Sequence, residues 1–460
     1  MRIRKYDFDY GRRELLRKSA LGASAGVLAP LWPMVAHSDS GDISKAYPDE
    51  LLSIEAYTKG KISVGDRVSA ANVEHVKELL DPITYMQIAE QGREIEIVAP
   101  ATDVADLYNS TFLDATLRNK GKAKLGEDGN VYDQSGSPWV GGVPFTDPQH
   151  GNEAISNLTL SWGRHDYAQY AIRQWDLDPG GDTTYQYDFV WAEMQVQARL
   201  DGTVFKNKKD LLRLQSVWFT APTDTAGSSF LSTWYYDQRK YPDLHGYLPA
   251  FRRVRQFPTN QRFEPLLPGI TWFLSDAWAA GDPMLTWGNY KIVGRQPMLG
   301  SVTGNWWGED DNWMAPTQGG PKGKTFVESK WSMCPECIII EAEPVGYPRA
   351  PVGKKRVWID VRNHQFVAYV TYDRRGDIWK SFQAGWSQYK DGDKVIKDEK
   401  GNPDWSWQYI ITHDVQANRV SRTHHTRTCA GGYDSRLDTG GVDVYNKFLT
   451  PNAISRLGTV

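Results

Sequence analysis

The stretch from Tyr185 to Val196 constrains the fold more than any other part of this chain. Tyr185, Tyr187, Phe189 and Trp191 share one face of a β-strand, and Val190, Ala192, Met194 and Val196 share the other. A strand that is apolar on both faces must be covered on both, so it belongs to a sheet packed between two layers. Trp405, Trp407 and Tyr409 repeat the period-two aromatic pattern, and Trp218-Phe219 lies in another strand-like run. Further strands are predicted at 212–220, 229–236, 247–257, 337–343, 356–361, 365–372, 378–382 and 405–412. Arg362-Asn363-His364 and the run from Asp373 to Asp377 read as turns between neighbouring strands. Long helices do not alternate with these strands, which argues against a parallel sheet, and no blade signature recurs as a propeller requires. The expectation is a mainly β (α+β) protein whose antiparallel sheet curves over a core.

The rest of the chain fills in around that sheet. Helices are predicted over Ala70–Leu80, with Asn72 as cap, and Gly151–Trp162, and a short strand over Arg93–Ala99. Asn119 to Gly142 reads as loop. Between Ile270 and Trp331 seven Trp sit among many Gly and Pro with little strand alternation, the texture of a long insertion lying across a sheet. The whole sequence of 460 residues carries 19 Trp, 23 Tyr and 15 Phe, more amphipathic ring surface than core filling alone calls for. Its charge of −3, without a long basic run, argues against nucleic acid as the partner.

The amino terminus reads as an address. Residues 1–18 hold seven basic and three acidic groups, and Ser19 to Ala36 runs uncharged and rich in Ala, Gly and Leu. Arg12-Arg13 followed by Leu15-Leu16 matches twin-arginine export signals, with an ordinary secretory signal as the alternative. Small residues at Ala36 and Ser38 fit cleavage after residue 38, which leaves 46 basic against 53 acidic groups and a charge of −7. The expected compartment is the periplasm, an oxidising one.

Chemistry-bearing motifs are few. Cys334-Pro335-Glu336-Cys337 has the spacing of a tight-turn disulfide, of free thiols, or of a redox or metal pair, and Cys429 is the odd thiol. His424 and His425 would point to opposite faces of a strand and so cannot share a metal. No zinc-protease or serine-hydrolase motif is present, and neither a catalytic residue nor a metal ligand is assigned. Arg252, Arg253 and Arg255 beside an aromatic hairpin read either as a charged sheet edge or as a cationic rim that meets an anionic head group.

Several stretches resemble a bacterial family of unknown function described as outer-membrane lipoprotein-sorting-like, related in fold to the Lol lipoprotein carriers. They are Ile62 to Asn72, Lys124 to Gly129, Gly142 to Ile155, Tyr247 to Pro258, Phe273 to Gly294 and, most closely, Gly353 to Lys380. The last is similar to the strand–turn–strand of Lol-type carriers. The resemblance implies a half-open, curved antiparallel β-barrel, with helices and here the Trp-rich insertion covering its concave face, holding an apolar ligand such as an acyl chain. It implies no catalytic residues and no cofactor. It also implies links to inner-membrane exporters or outer-membrane proteins.

The organisation expected is a signal over 1–38, a lead-in over 39–60, one carrier-like domain over 61–450 with its insertion near 270–331, and a tail over 451–460. The function expected is a monomeric periplasmic carrier for a hydrophobic, lipid-like molecule. Tyr187, Phe189, Trp191, Trp218 and Trp358 are its candidate ligand contacts, and Arg252, Arg253 and Arg255 its rim. An exported hydrolase or redox enzyme with an aromatic cleft, and a structural adaptor of an exporter, are the alternatives.

Overall fold

A computed structural model describes residues 32, 42–44, 46–203, 205, 207–258, 262–308, 310–391, 394–397, 401, 403–437 and 443–458. The twin-arginine pair Arg12-Arg13 and nearly all of the leader lie outside the described residues.

Among the described residues, sixteen strands form one sheet: β1 (Arg67–Val68), β2 (Ile95–Ile97), β3 (Tyr167–Leu177), β4 (Thr183–Gln195), β5 (Leu211–Ala221), β6 (Ser229–Tyr235), β7 (Asp243–Leu248), β8 (Arg253–Phe257), β9 (Gly288–Gly300), β10 (Lys330–Glu343), β11 (Val352–Asp360), β12 (Phe366–Asp373), β13 (Ile378–Gln388), β14 (Trp405–Asp414), β15 (Arg419–Thr426) and β16 (Arg436–Leu437). Their order is β1-β2-β10-β11-β12-β13-β14-β15-β3-β4-β5-β6-β7-β8, with β9 on β10 and β16 on β3. Apart from the short parallel contact of β10 with β2, every pairing is antiparallel. The sheet curves without closing, since β1 and β8 stand at opposite ends of the order. The decisive pairing is β15 with β3, which joins Thr423 to Gln174 and places the two halves of the chain side by side.

Side-chain alternation along β4 divides the core as its sequence requires. Tyr187, Phe189 and Trp191 enter the large core on the concave face. Val190, Ala192 and Met194 enter a smaller core on the opposite face, covered by α6 (Val444–Phe448) and α7 (Pro451–Leu457). The concave core also receives α3 (Pro82–Gln91), α4 (Ser110–Asn119) and α5 (Gly151–Thr159), through Ile83, Phe112, Ile155 and Leu158. Burying one such Leu or Phe contributes about 1.5–3 kcal/mol, so helices with three or four inward residues are held mainly by packing.

Several sequence expectations are corrected here. The two helices α3 and α4 were not expected, although their ends are well marked. Asp81 accepts from the N–H groups of Ile83 (3.0 Å) and Thr84 (3.1 Å), and Pro82 starts α3 where its missing N–H costs nothing. Asn109 caps α4 through Phe112 N (3.2 Å). The helix expected from Ala70 is a 3₁₀ segment over Val73–Leu79, because the Asn72 side chain turns back to accept from Ser69 N (2.8 Å). The Trp-rich segment contains the 13-residue β9, whose three register shifts against β10 break the alternation by which strands are recognised. The lead-in and tail are part of the fold. α1 (Asp49–Leu52) buries Leu51 and α2 (Ile54–Thr58) buries Ile54, while α7 buries Ala453 and Ile454. The Asp373–Asp377 turn forms as read: the Asp373 carboxylate accepts from Arg375 N (2.9 Å) and Asp377 N (3.0 Å), and Gly376 takes φ 82°.

Candidate functional site: an aromatic cavity under a latched lid

At the centre of the concave face, β3, β4, β13, β14 and β15 surround a small apolar cavity. Tyr170 and Ile172 come from β3, Phe189 and Trp191 from β4, Phe382 from β13, Trp407 and Ile410 from β14, and Thr423 from β15. The remaining wall is the segment 270–282, which crosses the sheet and contributes Trp272, Ala277 and Trp278. The rings interlock: Trp191 lies 6.2 Å from Trp272 and 6.3 Å from Trp278, and Trp278 lies 5.6 Å from Trp386 and 6.0 Å from Trp407. Only about 20 Å³ is open to the centre of a water-sized sphere, so the side chains nearly fill the space. A groove of about 320 Å³ lined by Tyr185, Thr271, Phe273, Asp414 and Arg419 opens at the start of the same segment.

The lid is shaped against backbone preference and tied down by buried charge. Trp278 and Ala279 both take left-handed φ values, 53° and 58°. Such conformations in residues with a Cβ cost of order 1–3 kcal/mol each and persist only where surrounding contacts impose them. Those contacts are ionic. Lys380 Nζ on β13 donates to Asp276 Oδ2 (3.2 Å) and Thr271 O (3.1 Å), and Tyr369 OH donates to Asp276 Oδ1 (3.3 Å). Lys355 Nζ on β11 donates to Ala279 O (3.1 Å), and Arg262 pairs with Asp282. Burial pushes the Lys355 ammonium down to about 8 and lowers Lys380 too, against the pull of Asp276. At the other end of the lid Trp272 Nε1 donates to Gln174 Oε1 (2.9 Å), and Thr271 N donates to Ser421 Oγ (2.9 Å). Gln174 Nε2 (2.8 Å) and Ser421 Oγ both donate to Asp176, whose carboxyl burial raises to about 7.

The residues singled out in the sequence separate into groups. Phe189 and Trp191 line the cavity, while Tyr187 sits beside them and donates its hydroxyl to Pro268 O (2.8 Å) at the lid's entry. Trp358 belongs to the same core on β11 without reaching the cavity. Trp218 is a correction. It occupies the opposite face of β5, stacked on Phe448 at 5.2 Å, because alternation gives its neighbours Val217 and Phe219 to the concave side. Arg252, Arg253 and Arg255 lie exposed at the β7–β8 hairpin on the edge of the sheet, with β5, β6 and β7 between β8 and the nearest cavity strand. They are not at this cavity's mouth.

Cys334 and Cys337 are free, buried thiols on one long strand, and the expected tight turn is absent. A bulge between their partners Met298 and Gln296 interrupts β10 there. Desolvation and the neighbouring Cys334 hold the Cys337 thiol well above the ordinary range, and burial pushes Cys429 up to about 11. His424 and His425 do face opposite ways, toward Trp175 and Trp407 respectively. His425 Nε2 lies 2.7 Å from Ser435 Oγ, the spacing of a nucleophile and its base. However, Ser435 Oγ also meets Ala171 N (2.9 Å) and Thr426 O (2.7 Å), so its bonding directions are occupied. Among the described residues no cluster of three or more His, Cys, Asp or Glu could hold a metal ion. No described helix is long and apolar enough to cross a membrane.

Trp32, inside the segment read as the leader, is buried in the concave core. It donates Nε1–H to Val361 O (3.1 Å) and stacks on His364 at 5.6 Å.

Fold and site together define a class: an open, curved antiparallel sheet that closes an aromatic cavity beneath a latched crossing segment. The chain belongs to the family described as "Protein of unknown function (DUF1329)", whose profile matches residues 67–455. It is similar to three solved structures. One is a domain provisionally named an outer membrane lipoprotein-sorting protein, from Vibrio parahaemolyticus (14% identity, 66% of this chain and 97% of that one, TM-score 0.39). A DUF1329 family protein from Desulfovibrio piger follows (13%, 64% and 95%, TM-score 0.39), and then a LolA superfamily protein from Nitrosomonas europaea (12%, 65% and 98%, TM-score 0.35). No curated protein matches the chain.

Proposed function

We propose that this protein binds a hydrophobic, lipid-like molecule on the concave face of its sheet, beneath the 270–282 segment, and serves as a periplasmic carrier after export by its amino-terminal leader. One observation carries the reading. Of the eleven residues around the cavity only Tyr170, Thr423 and the four indoles own a polar side-chain atom, and the wall is otherwise hydrocarbon and ring face. Such a surface recognises apolar chains and gives no grip on a small polar substrate.

Because the cavity is nearly filled, uptake displaces the lid rather than filling a preformed hole. An acyl chain gains about 0.8 kcal/mol per buried CH₂. Twelve buried methylenes therefore supply about 10 kcal/mol before ordering costs, enough to offset withdrawal of Trp278 from its ring contacts. The left-handed Trp278–Ala279 pair supports this movement, since leaving the closed position relieves its backbone strain. The carrier reading also rests on residues 61–450 acting as one unit, with Phe189 and Trp191 among the ligand contacts.

Lipids extracted from the protein purified from its native periplasm are expected to include one species in near-stoichiometric amount by mass spectrometry. The purified chain is also expected to bind a fluorescent fatty acid. Failure to find either a co-purifying lipid or probe binding would overturn the reading.

A further inference from the structure

Most buried arginines of the concave core have a visible counterpart. Arg362 pairs with Asp360, and Arg262 with Asp282. Arg93 donates to Gln87 Oε1 (2.6 Å) and Gln383 Oε1 (2.8 Å), and Arg213 donates to Thr159 O with the charge of Glu193 nearby. Arg164 differs. It is only 2% exposed, and Nε, Nη1 and Nη2 all lack a hydrogen bond. Its surroundings are ring faces: the guanidinium lies 4.8 Å from the Phe112 ring, 5.2 Å from Tyr108 and 6.0 Å from Trp405. The Tyr108 hydroxyl is its nearest polar neighbour, close enough to favour the charged guanidinium, although the two do not meet in hydrogen-bond geometry. Asp360, the carboxylate whose charge reaches it, is engaged by Arg362.

Three features make this a built arrangement rather than a stray cation. An unpaired buried charge is strongly unfavourable, and the ring faces offset only part of that cost. Burial pulls the Arg164 guanidinium down to about 10, so it stays charged at neutral pH. Its backbone is also held at φ 60°, a left-handed strain that fixes where the side chain starts. Finally, Trp405 connects the group to the cavity. Trp405 and Trp407 share one face of β14, two residues or about 7 Å apart, and Trp407 lines the cavity. A charged group at Arg164 and an apolar chain at Trp407 thus lie within the length of one amphiphile.

We infer that Arg164, with the Tyr108 hydroxyl, binds the anionic head, a carboxylate or a phosphate, of an amphiphile whose chain occupies the cavity. This rests on the concave face being the apolar binding site and adds the class of ligand. The guanidinium supplies up to five donors in a planar fork, matched to either head, and the ring cage excludes competing water.

The test compares three ligands that share one C18 chain, namely oleate, oleyl phosphate and oleyl alcohol, by calorimetric titration of the full chain. At least one anionic form is expected to bind about tenfold or more tightly than the alcohol, the increment of hydrogen bonds to a charged group. The tighter of oleate and oleyl phosphate identifies the head. Arg164→Met is expected to abolish the preference while leaving affinity for the alcohol unchanged, and Arg164→Lys to retain part of it. Without ligand, Arg164→Met is expected to melt no lower than the parent chain, because it removes an uncompensated charge. A drop of several degrees would make Arg164 a structural residue and overturn the assignment. Equal affinity of the parent chain for all three ligands overturns the head site while leaving the apolar site intact, and requires no variant. Binding of none of them overturns both.

Discussion

Asp176 sets a pH dependence that reaches the lid through Gln174 and Ser421, which hold Trp272 and Thr271. Burial raises its carboxyl from 3.8 to about 7, and Oδ2 has no hydrogen-bond partner, so the charged form is poorly served. Between those two values the folded chain keeps a proton that the unfolded chain has lost. Stability therefore falls as pH rises from about 4 to about 7, by about 1.4 kcal/mol per unit, and levels off above. The full effect is about 4 kcal/mol. Asp176→Asn mimics the protonated carboxyl at every pH. Urea unfolding of both proteins from pH 4 to pH 9 is expected to give equal stabilities near pH 4 and a growing advantage of the variant up to pH 8. Parallel profiles, with a constant offset, would refute the argument that Asp176 is the titrating group.

Other perturbations test separate parts of the structure. Trp278→Ala removes the lid's central ring and is expected to cost about 3–5 kcal/mol by denaturant unfolding while accelerating uptake of a fluorescent fatty acid in stopped flow. Lys380→Met leaves Asp276 buried and unpaired and is expected to cost about 3–5 kcal/mol, and adding Asp276→Leu is expected to restore much of it, read from a double-mutant cycle. In the uncleaved chain Trp32→Ala is expected to lose about 3–5 kcal/mol, and a loss below about 1 kcal/mol would refute the packing of this indole. The buried thiols Cys334, Cys337 and Cys429 are expected to resist a thiol reagent at pH 8 in the folded protein, and all three to react in guanidinium.

The two-faced strand at Thr183–Gln195 was legible because period-two alternation is a local property, and the structure divides its residues between two cores as that alternation requires. The Asp373–Asp377 turn was legible for the same reason. Helix α3 was equally available, since Asp81-Pro82 opens it and Gly92 closes it at φ 67°. Strand β9 was not, because its register shifts erase the alternation. Trp218 shows the limit of counting rings: an aromatic in a strand has two possible faces, and only its partners on α6 and the neighbouring strands distinguish them.

By itself, then, the sequence determined the class of fold, through strands that must be covered on both sides, and the apolar character of whatever the sheet encloses. Only the tertiary structure decided where the site lies. The cavity depends on β3 meeting β15, segments about 250 residues apart, and on a lid laid across them. It also decided that Arg164 lies among rings with no carboxylate bonded to it. A missing counter-charge is a relation between distant residues, set by packing, and no local spacing encodes it.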